Sequence, residues 1–136
     1  MKKLIYTFLI STIIIISISA SCKSKPFFPD FDHAGGYVIG KEFCKANPDE
    51  DYWLVDLSFP LNTVTNYGDT ITINGTLYKN MIKTKQLPST FKEIGKNVSF
   101  NFHLSADKVE TIGCAVSNAI TYKLKNMEVL ASFEIR

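Results

Sequence analysis

The sequence predicts a small, mostly β domain: an antiparallel β-barrel with one short helix, a β-sandwich being the alternative. Three observations lead there. Residues 98–104 alternate, with Val98, Phe100, Phe102 and Leu104 on one face and Ser99, Asn101 and His103 on the other. Asn74-Gly75 sits between the β-rich runs Thr70-Ile71-Thr72-Ile73 and Thr76-Leu77-Tyr78, and a hairpin turn of this kind needs positive φ at both central positions. Near the C-terminus Met127, Val129, Ala131, Phe133 and Ile135 form a period-two row that reads as inward.

The elements follow in order. Residues 36–44 read as the first strand, rich in Tyr, Val, Ile and Phe after Gly35-Gly36. Residues 47–51 are a polar turn around Pro48. Residues 52–59 form the second strand, stopped by Pro60, with Trp53, Val55, Leu57 and Phe59 on one face. Asp56 then points outward on the face it shares with Tyr52 and Leu54. Residues 61–69 read as a long hairpin loop, and residues 81–85 continue a strand beyond the Asn74-Gly75 turn. Residues 87–95 suggest the short helix: Ser89 or Thr90 caps its start, Gly95 ends it, and Phe91 and Ile94 face the core. After the alternating strand, residues 111–116 and 119–124 read as short strands around Ser117-Asn118, and residues 127–135 as the last one.

Five main strands, with a helix before the fourth, and the run Phe91-Lys92-Glu93-Ile94-Gly95-Lys96-Asn97-Val98 leading into the alternating strand resemble the OB-fold, a partly open Greek-key barrel. The resemblance is one of order and spacing over residues 36–136. It implies an open face and loops suited to oligosaccharides or oligonucleotides.

Ahead of the domain lie Met1-Lys2-Lys3, an uncharged run from Leu4 to Ile18, and Ser19-Ala20-Ser21-Cys22. A basic start, an apolar centre and small residues make an export signal. The run falls short of the roughly 20 apolar residues of a spanning helix. Residues 19–22 and their flanks resemble the lipobox of a bacterial lipoprotein of the Bacteroides–Flavobacterium type. That resemblance implies acyl chains on Cys22 and a place in the cell envelope, lipid-anchored to the outer membrane. Ordinary secretion after cleavage near Ala20 and a retained N-terminal helix are the alternatives. The expected organisation is a signal peptide at 1–21, the lipidated cysteine and a tether at 22–35, and one domain at 36–136. In the tether Pro26 and Pro29 oppose regular structure. Phe27, Phe28 and Phe31 exceed what a spacer needs, and read as packing back on the domain or lying near the lipid surface.

The chain has 15 basic and 13 acidic residues, and removal of Lys2 and Lys3 balances them. Total charge therefore gives a polyanion surface no support, and nucleic acid is not an expected partner. The expected partners are the membrane, through the lipid, and a glycan, peptide or envelope protein.

Lipidation of Cys22 leaves Cys44 and Cys114 as an even pair in an oxidising compartment. Their disulfide would close a loop of about 71 residues, worth about 4 kcal/mol by chain entropy. Two separate buried thiols are the alternative. His33 falls in the tether and His103 on the polar face of a strand. No two of Cys44, Cys114, His33 and His103 have the short paired spacing of a zinc site. No metal or cofactor is expected.

No nucleophile elbow, HExxH helix or Ser/His/Asp set is visible, so the domain reads as non-enzymatic. Tyr37, Tyr52, Trp53, Tyr67 and Tyr78 offer aromatic surface for stacking on a ligand. Lys79, Lys83, Lys85, Lys92 and Lys96 read as a basic stretch that solvates a face and guards an edge strand. The main functional reading is a binding or accessory module of the envelope; the alternative is a structural or interaction subunit of an envelope assembly, with a small hydrolase ranked behind both. A concave aromatic pocket favours the first. An exposed apolar patch favours the second.

Overall fold

β-branched and aromatic alternation settles into six strands in the computed structural model, which describes residues 30–58 and 66–135. They are β1 (Asp32–Lys41), β2 (Trp53–Asp56), β3 (Asp69–Ile73), β4 (Thr76–Thr84), β5 (Asn97–Val109) and β6 (Leu124–Glu134). The expected signal peptide, Cys22, the tether up to residue 29 and residues 59–65 lie outside the described residues.

All six strands belong to one sheet, in the order β2-β1-β5-β6-β4-β3, with a further pairing of β2 with β4. That pairing closes a ring of hydrogen bonds, and β3 hangs from β4 as an outer strand. Every pairing is antiparallel except β4 with β6, which run parallel and meet at Lys83 opposite Asn126. The expected antiparallel, OB-like barrel with a short helix is therefore corrected to a mixed, mostly β sheet, ring-bonded but not barrel-shaped, with almost no helix. The β-sandwich is corrected too, since there is one sheet and not two. The physical reason for the parallel pair is parity. Alternating directions around a ring of five strands cannot be kept up, so one neighbouring pair must run the same way.

The expected helix shrinks to a single 3-10 turn, Ser89–Phe91, preceded by an extended Pro88 and without a side-chain cap. Its backbone is claimed elsewhere: Gly95 N–H donates to Val38 O at 2.7 Å and Val38 N–H to Lys96 O at 3.0 Å. The Gly95 N–H that a continuing helix would need is thus spent on β1. Leu87 is buried and Phe91 half-buried, but Ile94, expected inward, is exposed.

The hairpin forms on Asn74 (φ 50°) and Gly75 (φ 81°), and β4 then runs unbroken to Thr84. β1 starts earlier than expected, because Asp32 to Tyr37 pair along β5 from Phe102 to Asn97. His33 and Gly35 thus belong to the sheet and not to a tether. Gly36 is required by crowding: a Cβ there would lie 2.8 Å from Val55 Cγ1 and 2.9 Å from Asp56 O. The short strands expected around 111–124 reduce to one bridge, Ile120 with Phe43.

The row expected inward on β6 is broken by a bulge. Asn101 faces Ala131 but Phe102 faces Val129, which leaves Leu130 unmatched. An extra residue moves everything beyond it to the other face. Met127 is buried, whereas Phe133 lies opposite Ser99 and is 54 % exposed.

Two apolar clusters hold the sheet. The larger joins Val38, Trp53, Val55, Leu57, Ile82, Phe100 and Phe102, among others. The smaller joins Leu54, Met81 and Leu124, with Ile71, Tyr78 and Tyr122 against it. β2 is therefore covered on both faces: Leu54 is buried and not outward, and Asp56 is half-buried.

Candidate functional site

The side chains with the most unusual environment gather under the connection between β5 and β6, residues 110–123. Glu42 follows β1 and Lys83 lies near the end of β4; both side chains are fully buried, and Lys83 Nζ is 2.9 Å from Glu42 Oε1. Lysine has three ammonium protons to place. Lys83 donates them to Glu42, to Thr111 Oγ1 at 3.0 Å and to the Tyr122 carbonyl at 2.7 Å. The Glu42 carboxylate also accepts from Tyr122 N–H at 2.9 Å and from the Thr111 hydroxyl. The Tyr52 ring closes the site, its centroid 4.5 Å from Lys83 Nζ and 4.8 Å from Lys85 Nζ. Burial, and then the negative charge of Glu42, push the Tyr52 phenol above its ordinary pKa. A buried ion pair is tolerable only when its remaining hydrogen-bonding capacity is used in this way.

The same connection is fastened by covalent and backbone bonds. Cys44 and Cys114, 70 residues apart, are joined by a disulfide. Phe43 and Ile120 exchange backbone bonds of 2.9 and 2.8 Å, and Ala115 N–H donates to Cys44 O at 2.8 Å. Buried Asp51 accepts from the N–H groups of Cys44 and Lys45 at 3.1 and 2.9 Å. Large apolar side chains stand exposed on this framework: Phe43 is 47 %, Ile120 54 % and Ile112 79 % exposed.

The aromatic residues read as a stacking surface are spread over the fold. Trp53 belongs to the larger cluster and is 8 % exposed. Tyr67 packs edge-on against Phe102 at 5.2 Å between centroids. Tyr78 packs on the smaller cluster, Tyr52 covers the ion pair, and Tyr37 lies half-buried in β1 opposite Asp56 and Asn97. Lys83 leaves the basic stretch altogether, since it is buried where a solvating side chain was expected. Cys22 lies outside the described residues. Among the described residues no group of three or more His, Cys, Asp and Glu is placed to hold a metal ion. No helix among them is long and apolar enough to cross a membrane.

A second convergence of polar groups went unread in the sequence. On the β1–β5 face, His33 Nδ1 is 2.6 Å from Asn101 Oδ1 and His33 Nε2 is 3.1 Å from Ser99 Oγ. These partners are 66 and 68 positions from His33. The only available signal was the polar alternation of Ser99, Asn101 and His103, with nothing to say what lay beside it. Glu42 and Thr111 were equally silent, one inside an apolar run and the other in a polar connection.

Comparison of the chain with protein-family models, with curated proteins and with solved structures gives no match. The class defined by fold and site is a mixed, mostly β domain, stapled by one disulfide and one buried ion pair.

Proposed function

We propose that this domain is an interaction subunit of an envelope assembly, held at the outer membrane by lipid on Cys22. The observation that carries the reading is the exposed, bridge-paired Phe43 and Ile120, with exposed Ile112 on the same rigidly fastened connection as Ile120. Large apolar side chains left in water favour a protein partner. Because a disulfide, an ion pair and backbone bonds already order the connection, a partner that binds there spends little on ordering it. The scattered aromatic residues favour this reading over a small-ligand module.

The test is partner capture by cross-linking in intact cells that carry the full precursor. The Phe43→Asp, Ile120→Lys double variant is expected to lose a specific cross-linked species while keeping its disulfide. An unchanged cross-linking pattern would overturn the interaction reading. The anchor is tested separately by metabolic labelling with a fatty-acid analogue. Label that survives Cys22→Ala removes the lipid from the proposal.

A further inference from the structure

We propose that Ser99 is an activated nucleophile that accepts acyl groups from carboxylic esters on the face of β1, β5 and β6 that carries His33 and Asn101. The argument begins with the proton on His33. Asn101 Oδ1 can only accept, so at 2.6 Å the Nδ1 of His33 carries the proton. Nε2 then presents its lone pair, and the Ser99 hydroxyl donates to it at 3.1 Å. A nucleophile, a base and a group that orients the base stand in hydrogen-bonded sequence, the arrangement that activates a serine.

The sheet register sets which residues surround the nucleophile. Residues opposite one another share a face. Gly35 lies opposite Ser99 on one side and Phe133 on the other. His33, Asn101 and Ala131 form the next row. Gly35 adds no side chain to this row and is itself buried. Phe133 offers an exposed ring on which an acyl chain can lie, and it is there because the bulge at Leu130 turned it outward.

In the first step Ser99 Oγ attacks the ester carbonyl carbon and His33 Nε2 takes the hydroxyl proton. The bond from that carbon to the leaving oxygen then breaks, and the imidazolium returns the proton to the departing alcohol. Water, losing its proton to His33, attacks the acyl-serine, releases the carboxylic acid and restores Ser99. β5 pairs with both β1 and β6 here, so its backbone N–H groups serve the ladder and not a developing oxyanion. Each missing donor of that kind costs about 10²–10³ in rate. The substrate class is accordingly an ester with a good leaving group, such as an aryl ester, and an apolar acyl chain.

The experiment treats the purified mature chain with a fluorophosphonate probe and with 4-nitrophenyl hexanoate, and locates the label by peptide mass spectrometry. Label is expected on Ser99, absent in Ser99→Ala and reduced about a hundredfold in His33→Ala. Asn101 acts through His33 as a positioning residue: Asn101→Asp is expected to keep the reaction and Asn101→Leu to lose it, with the disulfide and far-ultraviolet spectrum intact. Phe133→Ser is expected to lower the preference for hexanoate over acetate about tenfold. Absence of label from the folded chain, or labelling of Ser99 as fast in His33→Ala as in the parent, would overturn the proposal.

Discussion

Lys83 and Glu42 are the exception that the rule for charged residues allows, since such residues are almost never fully buried unless paired. Their pairing makes each dependent on the other. Glu42→Gln leaves an uncompensated ammonium in the interior and is expected to cost about 3–5 kcal/mol. The double variant Glu42→Leu, Lys83→Met should recover most of that loss, because apolar replacement of a whole buried pair is often neutral or stabilising. Urea denaturation of the two variants and the parent measures both outcomes. Tyr52 gives a second test. Its phenol is held above the ordinary value of 10.0, by burial first and Glu42 second. The folded protein therefore keeps a proton that the unfolded chain releases. The resulting stability is complete below the unfolded value and is lost as pH rises through the folded one. Tyr52→Phe is expected to flatten the alkaline fall in stability; identical pH dependence in variant and parent would remove Tyr52 as its source. None of this was legible residue by residue. Lys83 stands among other lysines in a polar stretch, and only the approach of Thr111 and Tyr122 separates it from them.

Single extra residues and missing side chains set the elements. The Asn74-Gly75 turn was readable because its φ requirement is local. The bulge at Leu130 was not, since nothing in Val129-Leu130-Ala131 marks a break in alternation. It appears only against the register of β5. Its consequence is large: the last third of β6 turns over and Phe133 becomes exposed. The close approach at Gly36 is likewise invisible without β2. Gly36→Ala would set a methyl 2.8 Å from Val55 Cγ1 and 2.9 Å from a backbone oxygen that cannot move freely. The expected loss is about 1–3 kcal/mol, the usual cost of overpacking, read as a lower denaturation midpoint with an unchanged slope. The short helix failed for a related reason. Gly95 N–H and Lys96 O are taken by Val38 of β1, so the turn does not propagate into a helix.

For the whole molecule the main constraint is closure. A ring of five strands forces one parallel pair, and that pair is as short as it can be, Lys83 with Asn126. The disulfide and ion pair lie close to this seam: Lys83 belongs to both the pair and the seam, and Cys114 holds down the connection that leads into β6. Cys44→Ala with Cys114→Ala is expected to cost about 2–5 kcal/mol, the usual range for removing a native disulfide from a small domain. Thermal unfolding of the parent with and without reductant should show the same loss. No shift in melting temperature on reduction would mean that the backbone bonds at Phe43 and Ile120 suffice alone. The β character, the hairpin turn and most of the inward faces of β2 and β5 were readable from the chain alone, because alternation and turn chemistry are local. Only the tertiary structure decided the parallel seam, the bulge, the burial of Lys83 and the meeting of Ser99 with His33. Each of these depends on which distant strand lies alongside, and a neighbour some 70 positions away leaves no periodic trace in the chain.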